Sequence, residues 1–209
     1  MWNERVVPRL TDRALSVGQV MKRRELVCAG MHGRVLEIGF GSGLNISKYP
    51  DAVVAVDAVE PSDVGWALSA QRRGGASVPI SRVGLDGQRL DAVDASYDAV
   101  LCTFSLCTIP DAAQAVAEVR RVLVPGGTFH VLEHGLSPDP GVARWQRRLE
   151  PLQRRLLGGC HLTRDVPALV ADGGLTVGDV VQEYLPGPRT GRPWGWSTRL
   201  VATAPDSSA

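Results

Sequence analysis

The run Val35-Leu36-Glu37-Ile38-Gly39-Phe40-Gly41-Ser42-Gly43 constrains the fold of this chain more than any other. It reads as an apolar strand that ends in a glycine-rich turn and opens into a helix. Gly39, Gly41 and Gly43 lack a Cβ, so the backbone can turn sharply and a ligand can approach the peptide groups closely. Free N–H groups at the start of the following helix are then available to polar ligand atoms. Taken alone, the spacing also fits a tight strand-to-helix turn with no ligand. Context decides more, because such a ligand turn is followed, about 20 residues on, by an acidic residue at a strand tip that binds a ribose hydroxyl pair. Glu60 stands 21 positions after Gly39, at the end of Ala52-Val53-Val54-Ala55-Val56 and its continuation, with Pro61 ending the strand behind it. Asp57 competes at 18 positions, but it precedes more strand and lacks the following proline.

At 209 residues and 44% hydrophobic, the chain can bury one sizeable core. With 23 basic and 22 acidic side chains the net charge is +1, and nothing in that balance demands a polyanionic partner. No stretch of 18 or more apolar residues occurs, and Met1-Trp2-Asn3-Glu4-Arg5 lacks the apolar core of a signal peptide, so a cytoplasmic protein is expected. Cys28, Cys102, Cys107 and Cys160 show no C-x-x-C spacing, which suggests neither a metal site nor a redox pair. Cys102 and Cys107 fall in or just after an apolar strand and read as small buried hydrophobes, whereas Cys160 has His161 and Arg164 close by.

Along the chain, residues 2–30 are charged and helical in character. Strands read at Arg34–Ile38, Ala52–Val59, Ser77–Val83, Tyr97–Thr103, Thr128–Glu133, Thr176–Tyr184 and Trp196–Thr203. Ala112, Val116, Val119 and Leu123 recur at helical spacing, with Pro125-Gly126-Gly127 as the stop. A further helix over about Gly141–Leu157 carries Trp145, Leu149, Leu152 and Leu156 on one stripe and Arg147, Arg148, Arg154 and Arg155 off it. That pattern reads first as a solvated basic face on a packed helix, and leaves peripheral contact with a membrane or a nucleic acid as the sharper alternative. Gly158 and Gly159 are expected to break this helix into a loop facing the site. The alternation predicts an α/β fold, a mainly parallel doubly wound sheet with helices on both faces and ligands bound beyond the strands' carboxyl ends. Gly39–Gly43, Glu60, Asp86, Thr103 and Glu133 all fall at such ends, and 204–209 read as a frayed polar tail.

Four motifs in order then carry a resemblance: Glu37-Ile38-Gly39 with Gly41-Ser42-Gly43, Val59-Glu60-Pro61, Tyr97-Asp98-Ala99-Val100-Leu101, and Arg121-Val122-Leu123-Val124-Pro125-Gly126-Gly127. Together they resemble the class I methyltransferases that use S-adenosylmethionine. Leu44 stands where a dinucleotide turn would need its last glycine, which argues against NAD. A narrower set, Cys102-Thr103-Phe104-Ser105-Leu106-Cys107, Leu132-Glu133-His134, Trp145-Gln146 with Glu150-Pro151, and Gly159-Cys160-His161-Leu162-Thr163-Arg164-Asp165, is similar to the microsomal alkyl thiol methyltransferases and their bacterial relatives. The chain departs from the common G-C-N-L-T-R-E pattern at His161 and Asp165, and from the mammalian enzymes in lacking their amino-terminal apolar anchor.

The resemblance implies a seven-stranded Rossmann-like sheet of order 3-2-1-4-5-7-6 with the last strand antiparallel. It also implies one domain over 1–209: a helical cap over 1–30, a cofactor-binding half over 34–133 and an acceptor-side half over 138–203. S-adenosylmethionine would meet Glu37, Gly39, Gly41, Gly43, Glu60, Asp86, Gly87 and Thr103, with Glu37 organising the turn. Asp86-Gly87-Gln88 matches the place where related enzymes hold the adenine, and reads equally as a polar turn after the third strand. The acceptor is expected to be a small molecule, a thiol ahead of a phenol, a quinone-type ring or an amino lipid. Arg164, His161 and His134 are the residues expected to contact it. Arg164 reads equally as a structural arginine paired with Asp165 or with a carboxyl-terminal backbone carbonyl, and His161 as a structural histidine. Outside the enzymes, a cofactor sensor or RNA-binding protein on the same fold is the alternative, and oligomeric state is left open.

Overall fold

The computed structural model describes residues 5–185 and 187–206, and its centre is a seven-stranded sheet. Two cap helices, α1 (Val7–Leu15) and α2 (Gly18–Cys28), precede β1 (Gly33–Ile38). There follow β2 (Val53–Val59), α3 (Asp63–Leu68), α4 (Ala70–Gly74), β3 (Ile80–Gly84), β4 (Tyr97–Thr103), α5 (Ala112–Val122) and β5 (Leu123–His134). The chain continues through α6 (Pro140–Leu156), α7 (Val166–Asp172), β6 (Thr176–Tyr184), α8 (Arg192–Gly195) and β7 (Trp196–Thr203). The strand order is β3-β2-β1-β4-β5-β7-β6, with β7 antiparallel to both of its neighbours and the other pairings parallel. This is the expected topology. A reversal of crossover direction between β1 and β4 opens a crevice at the carboxyl ends of those strands, and there the functional residues gather.

The central strands are buried on both faces, so they read as unbroken apolar runs: Val35, Leu36, Ile38, Ala99, Val100 and Leu101 are all nearly inaccessible. One core layer packs α5 through Ala115, Val116, Val119 and Val122 against Phe129, Val131 and Leu200. The opposite layer packs Val20 and Val27 of α2 against Val35, Ala99 and Leu132. Three helix starts carry aspartate caps. Asp111 accepts from Gln114 N at 2.9 Å, Asp139 from Gly141 N at 2.8 Å and Asp165 from Ala168 N at 3.2 Å.

Several boundaries differ from the sequence reading, each for a local reason. No α-helix follows the glycine turn. Only the short 3₁₀ turn Ile46–Lys48 forms, because Pro50 drives Tyr49 to extended backbone (φ −65°, ψ 130°). The N-terminal segment, which read as one helical stretch, is two helices broken at Ser16-Val17, with Val17 extended. The third strand starts at Ile80 rather than Ser77, since Pro79 can accept from Val56 N at 3.0 Å but has no N–H to return. α5 ends before its glycines, because Leu123 already pairs with Tyr97 and residues 124–127 bulge out before Thr128 meets Ala99. The first four residues and the last three of the tail lie outside the described residues.

Gly173, at the end of α7, has an ordinary φ of −72°, yet a Cβ there would lie 2.3 Å from Val116 Cγ1 of α5. Gly173→Ala is therefore expected to overpack this helix contact and lower unfolding stability by about 1–3 kcal/mol. Gly18→Ala, which meets nothing within 4 Å, should leave stability unchanged or raised. Urea unfolding of both variants with unchanged slope checks the pair.

Candidate functional site

A cavity of about 460 Å³ opens at the carboxyl ends of β1, β2 and β4. One wall is the turn Gly39–Ser42, with Glu60-Pro61-Ser62 and Leu85–Gln88 beside it. The facing wall is Thr103–Ser105 and Thr108–Pro110, and α1 closes the cavity with Val7, Pro8, Thr11, Asp12 and Leu15. Leu157 and Gly158, beyond α6, complete its rim. Asp12 fastens the cap, accepting from Ser42 Oγ at 2.6 Å and pairing with Arg72 at 3.1 Å.

The turn needs its glycines. Gly39, Gly41 and Gly43 all hold positive φ (+73°, +57° and +75°), where other residues are strained. A Cβ on Gly39 would strike Ser105 Oγ, whereas one on Gly41 would meet nothing nearer than 3.9 Å and would project into the space that Gly41 lines. Glu60 grips this turn: its Oε2 accepts from Gly41 N at 2.5 Å and its Oε1 from Ser62 N at 2.7 Å. Burial pushes the Glu60 carboxyl above the ordinary carboxylate value, against the pull of these two N–H groups. Asp57 faces elsewhere, accepting from Arg34 at 2.6 Å and from Tyr97 OH at 3.0 Å, and it does not line the cavity.

Behind the turn lies a buried polar cluster. Arg24 of α2 donates to Asn45 Oδ1 at 2.9 Å and to Thr103 Oγ1 at 2.8 Å, while Asn45 Nδ2 donates to Thr103 Oγ1 at 3.0 Å and Glu37 Oε1 at 2.9 Å. Tyr49 OH completes the cluster by donating to Glu37 Oε2. Glu37 thus stands behind the turn, outside the cavity lining, and desolvation raises its carboxyl to about 7 despite these donors. Arg24 reaches the cavity, and its Nε is buried with no hydrogen-bond partner. Asp86 sits on the rim, accepting from Gln88 N at 2.9 Å and Nε2 at 3.0 Å, which holds its carboxyl below the usual range. Gly87 lets this turn lie against the sheet, since a Cβ would meet Ile38 Cγ2 at 2.8 Å.

Residues 36–131 match the model of a methyltransferase domain. A thiol S-methyltransferase TMT1B of Rattus norvegicus is 34% identical over 137 residues, covering 63% of this chain and 55% of that protein. A demethylmenaquinone methyltransferase of Renibacterium salmoninarum is 33% identical over 128 residues, covering 59% and 52%. The chain therefore spans little more than half the length of these relatives. The crystal structure of YcgJ from Bacillus subtilis shares the fold, with a TM-score of 0.69 at 19% identity over 93% of this chain and 100% of that one. Residues 36–131 therefore belong to the methyltransferase domain family, on a sheet with the class I strand order. The methyl donor of that family is S-adenosylmethionine.

The three residues expected at the acceptor do not line the cavity. Arg164 donates to the carbonyl oxygens of Leu106, Ile109 (2.6 Å) and Pro110 (3.2 Å), so it holds the loop after β4 rather than a ligand. Its suggested partner Asp165 caps α7 instead. His161 turns its Nδ1 to Glu150 Oε1 at 3.3 Å. His134 packs against Phe104 with ring centroids 4.9 Å apart, and desolvation lowers its imidazole to about 4, leaving it neutral near pH 7. Sequence reasoning also missed Arg24, which belongs to no motif and meets the turn only through tertiary packing. Another omission is Phe104, whose positive φ of +54° puts its ring at the cavity wall and beneath Arg24, 5.3 Å from the guanidinium carbon.

Glu37 gives a pH prediction. Its folded value of about 7 lies above the unfolded carboxylate, so between about pH 4.5 and 7 the native state holds the extra proton and stability contributed by that proton is lost as pH rises. Glu37→Gln mimics the protonated form. Its stability relative to wild type should therefore rise from pH 4.5 to 7, measured by urea unfolding across that range, and a flat difference would contradict the buried, raised carboxyl.

Proposed function

We propose that this methyltransferase transfers the methyl group of S-adenosylmethionine to a small, apolar thiol. The residues present fit the donor. Glu60 keeps free lone pairs for the ribose hydroxyls, Asp86-Gly87-Gln88 stand where an adenine would lie, and Gly39 and Gly41 leave room beside the turn. The unpartnered Nε of Arg24, with Thr103 beside it, fits the carboxylate of the donor's amino-acid end. Gly43 and Glu37 act one step back, shaping the turn and fixing Asn45. When bound, the donor supplies an electrophilic sulfonium methyl, so positioning and exclusion of water are the main tasks left to the protein.

One observation carries the choice of acceptor. Among the described residues, the cavity is lined by no histidine, lysine, tyrosine or cysteine. Its titratable members, Asp12, Arg24, Glu60 and Asp86, already hold hydrogen bonds within the protein. An acceptor here has to ionise without a dedicated base, which favours a thiol with a pKa near 8.5 over a phenol near 10. Val7, Phe104, Ile109, Pro110 and Leu157 make the remaining wall apolar, which suits a lipophilic acceptor. Methylation of a quinol ring is the second reading, supported by the identity with a demethylmenaquinone methyltransferase.

Calorimetry should show micromolar binding of S-adenosylmethionine. Glu60→Gln should weaken it by about 1.5–3 kcal/mol, through loss of charge-assisted hydrogen bonds, while Asp57→Asn changes it little. For the transfer itself, a screen of alkyl thiols, phenols and quinols should give S-methyl products first. The single-turnover rate should climb with pH toward the acceptor's own pKa, and His161→Ala should leave that profile unmoved. Methylation of phenols or quinols with thiols untouched would refute the thiol reading.

A further inference from the structure

We propose that α6 docks the protein on an anionic membrane surface and so sets the mouth of the cavity at the boundary between lipid and water. The observation is an apolar stripe left facing solvent. Val142, Ala143 and Gln146 bury the inner side of α6, and Leu149 packs against Cys107, Cys160 and Leu162. Along the other flank of the helix Trp145 is 55% exposed, Leu152, two turns on, is 57% exposed, and Leu156, one turn further, 46%. Trp194 of α8 extends this apolar surface, its indole N–H bonded to Gln153 of α6 at 3.0 Å.

Charge says what covers the stripe. α6 carries Arg144, Arg147, Arg148, Arg154 and Arg155, all exposed, in a chain whose net charge is only +1. Glu150, the one acidic residue of the helix, turns inward to Thr163 and His161. Arg144, Arg148 and Arg155 run along one edge of the stripe, and Arg148 lies 5.6 Å from the Trp145 ring centroid. Exposed tryptophan and leucine edged by arginine is the pattern of a helix that lies in the headgroup region, apolar side inward, with arginines on lipid phosphates. A self-associating face would lack use for so much like charge, and an RNA-binding face would lack use for the leucines. The stripe ends at Leu157 and Gly158, which line the cavity rim, so a docked helix presents that rim to molecules dissolved in the bilayer.

The test uses the whole chain and vesicles, without methyl transfer, so its failure is distinct from failure of the thiol reading. Co-sedimentation at low salt is expected with vesicles of phosphatidylcholine plus phosphatidylglycerol, and not with phosphatidylcholine alone. Trp145→Glu with Leu152→Glu, and separately Arg148→Glu with Arg155→Glu, should each weaken retention about tenfold or more, while melting temperature and donor binding hold. No retention, equal retention on both vesicle types, or retention unchanged in either double variant overturns the proposal. Light scattering that shows a wild-type dimer abolished by Leu152→Glu overturns it too, and assigns the face to a second copy.

Discussion

The cavity depends on one buried carboxylate. Glu133, at the end of β5 and fully inaccessible, accepts from the backbone N–H groups of Ser105 at 2.7 Å, Leu106 at 2.6 Å and Cys107 at 3.3 Å. Those residues leave β4 through Phe104, a bulky residue at positive φ, and no regular ladder is available to satisfy them. Arg164 answers from the other side, donating to the carbonyls of Leu106, Ile109 and Pro110. A carboxylate thus takes the loop's donors and a guanidinium its acceptors, and the wall built from Phe104, Ile109 and Pro110 stands still without secondary structure. Burial raises the Glu133 carboxyl, and the N–H groups of Ser105, Leu106 and Cys107, together with the Cys107 thiol, oppose that cost.

What could be read from sequence follows from which interactions are local. Tyr97–Thr103 was legible because a parallel sheet covered on both faces demands continuous apolar runs, and the antiparallel strands Thr176–Tyr184 and Trp196–Thr203 also match their expected bounds. Glu60 stood out from Asp57 through Pro61, and the structure turns the two carboxylates to different surroundings. What the sequence did not convey has one cause. His161 and Arg164 were placed near an acceptor because polar residues follow two glycines, yet spacing along a loop does not tell which way a long side chain reaches. Arg164 finds its carbonyls more than 50 positions away, and Arg24 reaches Thr103 across 79. The helix missing after the glycine turn did have a local signal, Pro50, and there the ligand-turn pattern outweighed it.

The glycine turn, lacking a helix dipole behind it, rests on side chains instead. Glu60 holds Gly41 from the cavity side, and the cluster of Arg24, Asn45, Thr103, Glu37 and Tyr49 fixes the floor from behind. Each member satisfies another, so the cluster tolerates burial that an isolated charge would not. Its one gap is Arg24 Nε. A donor left unpaired in an otherwise complete network, at a cavity wall, is the group to which the proposed cofactor's carboxylate is assigned.

A second consequence concerns the chemistry. The two buried acids behind the cavity wall, Glu37 and Glu133, have every oxygen engaged by groups of the protein, and the histidines nearby are turned away or held neutral. Desolvation here serves rigidity rather than proton transfer. On the proposed reading, methyl transfer in such a site would gain its rate from alignment and from stripping water off a nucleophile that arrives already acidic. The same apolar wall that leaves no room for a base also favours acceptors that prefer oil to water, which is why the chemistry of the cavity and the exposed stripe on α6 point to one class of molecule.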